Sequence, residues 1–202
     1  MYRLRDGVQL VLASASPRRQ QMLSDLGLAF SLAPSDVDET RLPAETAPAA
    51  AQRLACLKAQ AAAEQWPERA VLAADTLVTL ADGRILGKPV DHDQARSMLK
   101  MLSGREHLVV TGYCLHWRGQ EHQGLAESRV RFRTLMEAEI EAYLASGEPV
   151  DKAGAYAVQG LAAAFVEEVH GSFSNVVGLP LARIVDLLLR AGIIDPQGQG
   201  PR

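Results

Sequence analysis

The sequence predicts an α/β fold built as one domain, and three observations predict it. Short apolar runs at Leu10–Ala13 and Ala70–Ala74 read as buried strands. Stretches at helical spacing alternate with them, as in Met22, Leu23 and Leu26, or Leu54, Leu57 and Ala61. At 202 residues and 48% hydrophobic content the chain can bury one substantial core, and it shows neither an internal repeat nor a linker between domains.

The first unit is a strand, a turn and a helix. After the strand comes Ser14-Ala15-Ser16-Pro17-Arg18-Arg19, in which Ser16 suits a helix cap and Pro17 the first helical position. Free N–H groups at a helix start, the positive end of its dipole, two hydroxyls and two guanidinium groups suit an anion rich in oxygens, above all phosphate. The plainer reading has Ser16 only capping the helix, with Arg18 and Arg19 solvated. Gly27 ends the helix. Residues 31–48 carry Asp36, Asp38, Glu39 and Glu45 among prolines, without a period, and read as a loop. Its carboxylates suit a hard cation such as magnesium, and Glu39 joins a site if the loop folds back over Arg18.

Ala49 to Gln65 reads as a helix with Cys56 near its apolar face. Lys58 belongs on the surface by ordinary burial statistics, although a helix edge can also carry it into a pocket. The run Ala70–Ala74 meets Asp75-Thr76 and resumes as Leu77–Leu80. A carboxylate that interrupts an apolar strand is costly to bury without partners, which makes Asp75 the leading catalytic acid; a turn or capping aspartate is the competing reading. Asp82-Gly83 then marks a hairpin, and Gly87-Lys88-Pro89 presents Lys88 on a constrained loop as a second candidate phosphate ligand.

Asp91 and Gln94 form a capping signal for a helix carrying Ala95, Met98, Leu99 and Leu102. Leu108–Trp117 and Gln123–Arg133 read as strands about Arg118-Gly119. Val130 and Phe132 face one way, and Arg129, Arg131 and Arg133 face water or, in one case, a phosphate. A helix spans Glu137–Ala145. The next segment, Asp151 to Gly160, is rich in small and hydrogen-bonding residues, as a backbone needs when it closes around a ligand. Leu161–Val169 reads as a strand, Gly178-Leu179-Pro180 opens a last helix through Leu189, and residues 195–202 read as a disordered tail. His107, His116, His122 and His170 form no helical metal pair and read as surface or capping residues.

A net charge of −3 argues against a general nucleic-acid or membrane-surface binder, so any anion site must be local. Cys56 and Cys114 are far apart and show no metal-ligand pattern, which speaks against a disulfide scaffold or structural zinc and for two buried thiols. Nowhere do about 18 apolar residues run together, and the expectation is a soluble cytoplasmic protein.

Taken in order, the Ser14–Arg19 turn, Ala74-Asp75-Thr76, Gly87-Lys88-Pro89, the run Ser146 to Tyr156, Gln159-Gly160 and Asn175-Val176-Val177-Gly178-Leu179-Pro180 resemble the Maf family of nucleoside triphosphate pyrophosphatases. The similarity covers about Leu10 to Gly192 and is greatest to members acting on dTTP and UTP; Ala157 replaces a usual glycine and Phe173 a usual tyrosine. The resemblance implies a mixed central sheet with flanking helices, two lobes around a central cleft and often a homodimer. It implies hydrolysis between the α and β phosphates with a divalent cation, magnesium or manganese. By position, Asp75 is the proton acceptor, or a metal ligand together with Glu39. Arg18, Thr76 and Gln159 bear on substrate choice, and Ser14, Arg19, Lys58 and Lys88 complete the site. Two alternatives stand beside this reading: the related subfamily acting on methylated guanosine triphosphate, which resembles Ala-Asp-Gln rather than Ala74-Asp75-Thr76, and a nucleotide-binding regulator of cell division without catalysis.

Overall fold

The computed structural model describes residues 1–198. Its strands are β1 (Tyr2–Leu4), β2 (Leu10–Leu12), β3 (Ser31–Leu32), β4 (Ala70–Leu80), β5 (Ile85–Leu86), β6 (Glu106–Trp117), β7 (Gln120–Phe132), β8 (Val166–His170) and β9 (Ile194–Pro196). Its helices are α1 (Pro17–Asp25), α2 (Ala47–Gln65), α3 (His92–Leu102), α4 (Glu137–Ala145), α5 (Phe173–Val177) and α6 (Leu181–Arg190). Strand β2 pairs in parallel with β3 and β4, and antiparallel pairs join β4 to β6, β6 to β7 and β7 to β8, so the central sheet is mixed, as expected. A separate two-stranded sheet joins β1 to β9.

Alternation along β2 and β4 sorts the layers, because successive residues of a strand point to opposite faces. Leu10, Leu12, Leu72, Ala74 and Val78 face a large core built with Leu23 of α1, Leu99 of α3, Ile140 of α4 and Ile184 of α6. Val11, Ala13, Val71 and Ala73 face the other way, onto Ala55, Ala59 and Ala62 of α2. The small side chains of α2 let it lie close to the sheet. At Gly112 of β6 a Cβ would stand 2.3 Å from the Ala51 carbonyl oxygen, so only glycine fits there. Gly112 is the register partner of Asp75, and this close approach therefore sets how near α2 comes to that carboxylate.

Several expectations shift in detail. Leu161–Phe165 forms a 3-10 turn and the strand starts only at Val166, because the Glu148 carboxylate accepts from the Leu161 and Ala162 N–H groups and turns the chain. His107 is no surface residue: it is buried against Phe132 and Tyr156, its Nε2 is 2.9 Å from the Tyr156 hydroxyl, and burial pulls its pKa down to about 4. Cys114 is buried as expected, while Cys56 is only half-buried. Asp195 and Pro196, expected in a disordered tail, instead pair with Arg3 and Tyr2; residues 199–202 lie outside the described residues. Among the described residues no helix is long and apolar enough to cross a membrane.

Candidate active site

Strand β2 lies beside β4 only over Leu10–Leu12 and Ala70–Leu72, after which the chain leaves β2 for α1. On that edge β5 joins β4 at Val78 and Thr79, which leaves Asp75 and Thr76 in the gap. The two crossovers diverge here: α1 leads to β3 on one face of the sheet, and α2 leads to β4 on the other. A crevice outside the carboxyl ends of two such strands is where open α/β sheets bind ligands.

Because Asp75 and Thr76 are consecutive, they meet opposite helices. On the α2 side, Lys58 Nζ donates to Asp75 Oδ1 at 2.5 Å and stands 2.7 Å from Glu39 Oε1. Lys58 is thus a buried residue of the cluster, 9% exposed, and not the surface lysine expected by default. On the α1 side, the Arg19 guanidinium donates to the Gly178 carbonyl at 2.7 Å, to Thr76 Oγ1 at 2.8 Å and to Ser14 Oγ at 3.2 Å. These bonds hold a buried cation in one orientation, with Asp75 near enough to oppose the effect of its burial.

The loop that carries Glu39 folds back over Lys58 rather than Arg18. Arg53 on α2 holds it there, donating to Glu45 Oε1 at 2.7 Å and to the Thr40 carbonyl at 3.2 Å. Partial burial raises the Glu39 pKa, but the Lys58 hydrogen bond and the charges of Lys58, Lys88 and Arg19 outweigh it and leave Glu39 below the usual carboxylate range. Lys88 is exposed and joins through that charge alone. Burial lowers the Arg19 pKa, and Arg18 beside it lowers it further. Four cationic side chains, Arg18, Arg19, Lys58 and Lys88, therefore act around two carboxylates, an imbalance that a polyanion relieves.

The helix start at α1 remains available to a ligand. Ser16 makes no side-chain cap bond, contrary to the capping role expected of it; its backbone N–H instead donates to Ser14 Oγ at 3.2 Å. Arg18 is half-buried and faces a different neighbourhood; burial lowers its pKa, and Asp151 and Tyr143 only partly oppose this. Gln159 is exposed and makes no hydrogen bond to the cluster among the described residues. Direct contacts thus form two sets, Ser14 and Thr76 on Arg19, and Glu39 and Asp75 on Lys58, linked through the consecutive Asp75 and Thr76, whereas Arg18 and Lys88 act by charge and Gln159 stands on the rim. Arg129, Arg131 and Arg133 pair with Glu106, Glu168 and Glu139 and do not reach the crevice.

Two supporting groups lie in runs that the sequence singled out without a role for either. Asn175 is fully buried; its Nδ2 donates to the Val109 carbonyl and to Ser128 Oγ, both at 3.0 Å. Its backbone carbonyl accepts from Thr111 Oγ1, which in turn lies 2.9 Å from Thr76 Oγ1. A polar side chain next to the apolar pair Val176-Val177, at the head of the run Asn175–Pro180 that carries the family resemblance, is the sequence signal of this role. Glu148 is the second: Oε1 accepts from the Tyr143 hydroxyl at 2.9 Å, Oε2 from the Leu161 N–H at 2.9 Å, and a Cβ on Gly160 would stand 2.2 Å from Oε2. This carboxylate pins the segment that presents Gln159. Asp151 and Ala155 take positive φ angles of 61° and 59° in the same region, an uncommon conformation for residues with a Cβ.

The chain is similar to known proteins over most of its length. The family model described as Maf-like protein matches residues 9–191. A protein of Syntrophus aciditrophicus named dTTP/UTP pyrophosphatase is 47% identical over 192 residues, covering 94% of this chain and 93% of its own length. A protein of the same name from Anaeromyxobacter dehalogenans is 50% identical over 195 residues, covering 95% and 98%. Among solved structures, a HAM1 protein from Coxiella burnetii matches with a TM-score of 0.46 and 20% identity, over 62% of this chain and 73% of that one.

Proposed function

The chain belongs to the Maf-like family, and from that membership we propose that it hydrolyses dTTP and UTP to the nucleoside monophosphate and pyrophosphate. The observation that carries the reading is the meeting of Lys58 with both Asp75 and Glu39 beside a fixed Arg19, at the carboxyl end of two parallel strands. In this reading Arg18, Arg19, Lys58 and Lys88 neutralise the triphosphate, and Ser14 with the start of α1 offers hydrogen bonds to its oxygens. Asp75 takes the proton of the attacking water as the bond between the α and β phosphates breaks and pyrophosphate departs. Thr76, Arg18 and Gln159 select the base.

Two carboxylates that converge on one ammonium are hard oxygen donors, and they fit a divalent cation of the magnesium or manganese kind. Asp75 and Glu39 would hold it, and when bound it supplies charge neutralisation at the phosphate oxygens. A cytoplasmic enzyme, working as a homodimer, belongs to the same reading. The test is a panel of nucleoside triphosphates with magnesium or manganese, with pyrophosphate and orthophosphate measured separately. Pyrophosphate from dTTP and UTP supports the proposal; orthophosphate alone, or no turnover across the panel, overturns it.

A further inference from the structure

The two cysteines, unrelated by spacing in the chain, come together behind the active site. Cys114 of β6 is the register partner of Gln123 on β7, His116 is the partner of Glu121, and this face of the hairpin lies under α2, which carries Cys56. The Sγ atoms of Cys56 and Cys114 and a carboxylate oxygen of Glu121 all lie within 4.8 Å of one another. Gln123 Oε1 accepts from the Cys56 thiol at 3.3 Å, and Gln52 Nε2 donates to its sulfur at 3.5 Å. His116 Nε2 stands 3.0 Å from Glu121 Oε2, the kind of outer partner that fixes a ligating carboxylate.

We propose that Cys56, Cys114 and Glu121 form a binding site for a thiophilic divalent cation of the zinc class, separate from the phosphate crevice. Two sulfurs and one carboxylate select a borderline-soft ion over magnesium or calcium, which prefer all-oxygen sets. Three protein donors also match an exchangeable site better than a closed four-ligand one. Cys114 is fully buried, Cys56 half-buried and Glu121 exposed, so the cation enters from the Glu121 side and reaches the inner sulfur last. Once bound, the ion ties α2 to the β6–β7 hairpin, two residues along α2 from Lys58.

The experiment uses the full chain, reduced and metal-free, titrated with cobalt(II) and then with zinc(II). The expected result is a thiolate-to-cobalt charge-transfer band that saturates at a single equivalent and is lost when zinc displaces cobalt. Cys56→Ser, at a half-exposed position, should abolish the band while circular dichroism stays unchanged, and Glu121→Gln should keep the band but shift its midpoint to higher metal concentration. No band, or a band that survives Cys56→Ser, overturns the proposal. Zinc that raises the melting temperature of the wild type and of Cys56→Ser equally also overturns it, since that ion sits elsewhere. Turnover is not the readout, so failure here leaves the pyrophosphatase reading standing.

Discussion

Lys58 Nζ and Asp75 Oδ1 stand 2.5 Å apart, with both side chains 11% exposed, so two charges face one another in a nearly dry place. Lys58 has a second carboxylate, Glu39, whereas among the described residues Asp75 forms an ion pair with Lys58 alone. Removal of one member of a buried pair leaves the other charge uncompensated, and the loss should be unequal. Lys58→Met is expected to lower stability by about 2–3 kcal/mol, since it strands Asp75. Asp75→Asn should cost less, because Glu39 still holds Lys58, yet turnover should fall by about 100-fold or more. Urea unfolding and pyrophosphate release on the same samples check the pair of outcomes; near-normal turnover of Asp75→Asn would make that carboxylate structural.

Gly112→Ala tests how α2 is seated. The added methyl meets the Ala51 carbonyl at 2.3 Å, which side-chain rotation cannot relieve, so the helix must move. Overpacking of this kind costs about 1–3 kcal/mol. Because Lys58 lies on α2 and Asp75 is opposite Gly112, kcat should fall along with the melting temperature. A stability loss with unchanged kcat would show that the Lys58–Asp75 geometry survives the displacement.

Selectivity is expected to follow Gln159. Loss of a pocket amide that pairs with the base costs about 1–3 kcal/mol, one to two decades in relative kcat/KM. Gln159→Ala should therefore narrow the preference for dTTP and UTP over purine triphosphates with little effect on stability, since Gln159 is exposed. Equal slowing of every nucleotide would remove the base-reading role from this side chain.

His107 should give the protein an acid-sensitive core. The unfolded imidazole takes up its proton near pH 6.5, but burial delays protonation in the folded state to about pH 4. Between those values the unfolded chain binds more protons, so stability is full above about pH 6.5 and declines as the pH falls towards 4. The loss from this group reaches about 3 kcal/mol at the lower end. His107→Gln keeps a hydrogen-bonding partner for the Tyr156 hydroxyl and should flatten the slope, measured by denaturant unfolding at a series of pH values. An unchanged slope would assign the acid sensitivity to other groups.

The strands and helices were legible because the chain's periodicity is a local property. Leu10–Leu12 and Ala70–Leu80 announce buried strands by composition, and the helices by spacings of three and four. Asp75 was legible as well, since a carboxylate inside an apolar run contradicts its surroundings unless it has partners. Its partners Lys58 and Glu39 came only from the family resemblance and not from the local sequence. Nothing in the alanine-rich sequence of α2 distinguishes Lys58 from a surface lysine; its burial depends on Gly112 letting α2 approach the sheet. His107 was misread because a histidine on a strand looks alike on either face until Phe132 and Tyr156 close over it.

By itself the sequence determined most element types, the strand-turn-helix at Leu10–Arg19 and the interruption of an apolar strand by Asp75, because each rests on the chemistry of adjacent residues. Only the tertiary structure decided which side chains share a charge, as with Lys58 between Glu39 and Asp75, or Arg19 between Ser14, Thr76 and Gly178. The physical reason is that Coulomb and hydrogen-bond energies depend on distance in space and on exclusion of water. Both are set by how α1 and α2 pass to opposite faces of one sheet, which no local stretch of the chain encodes.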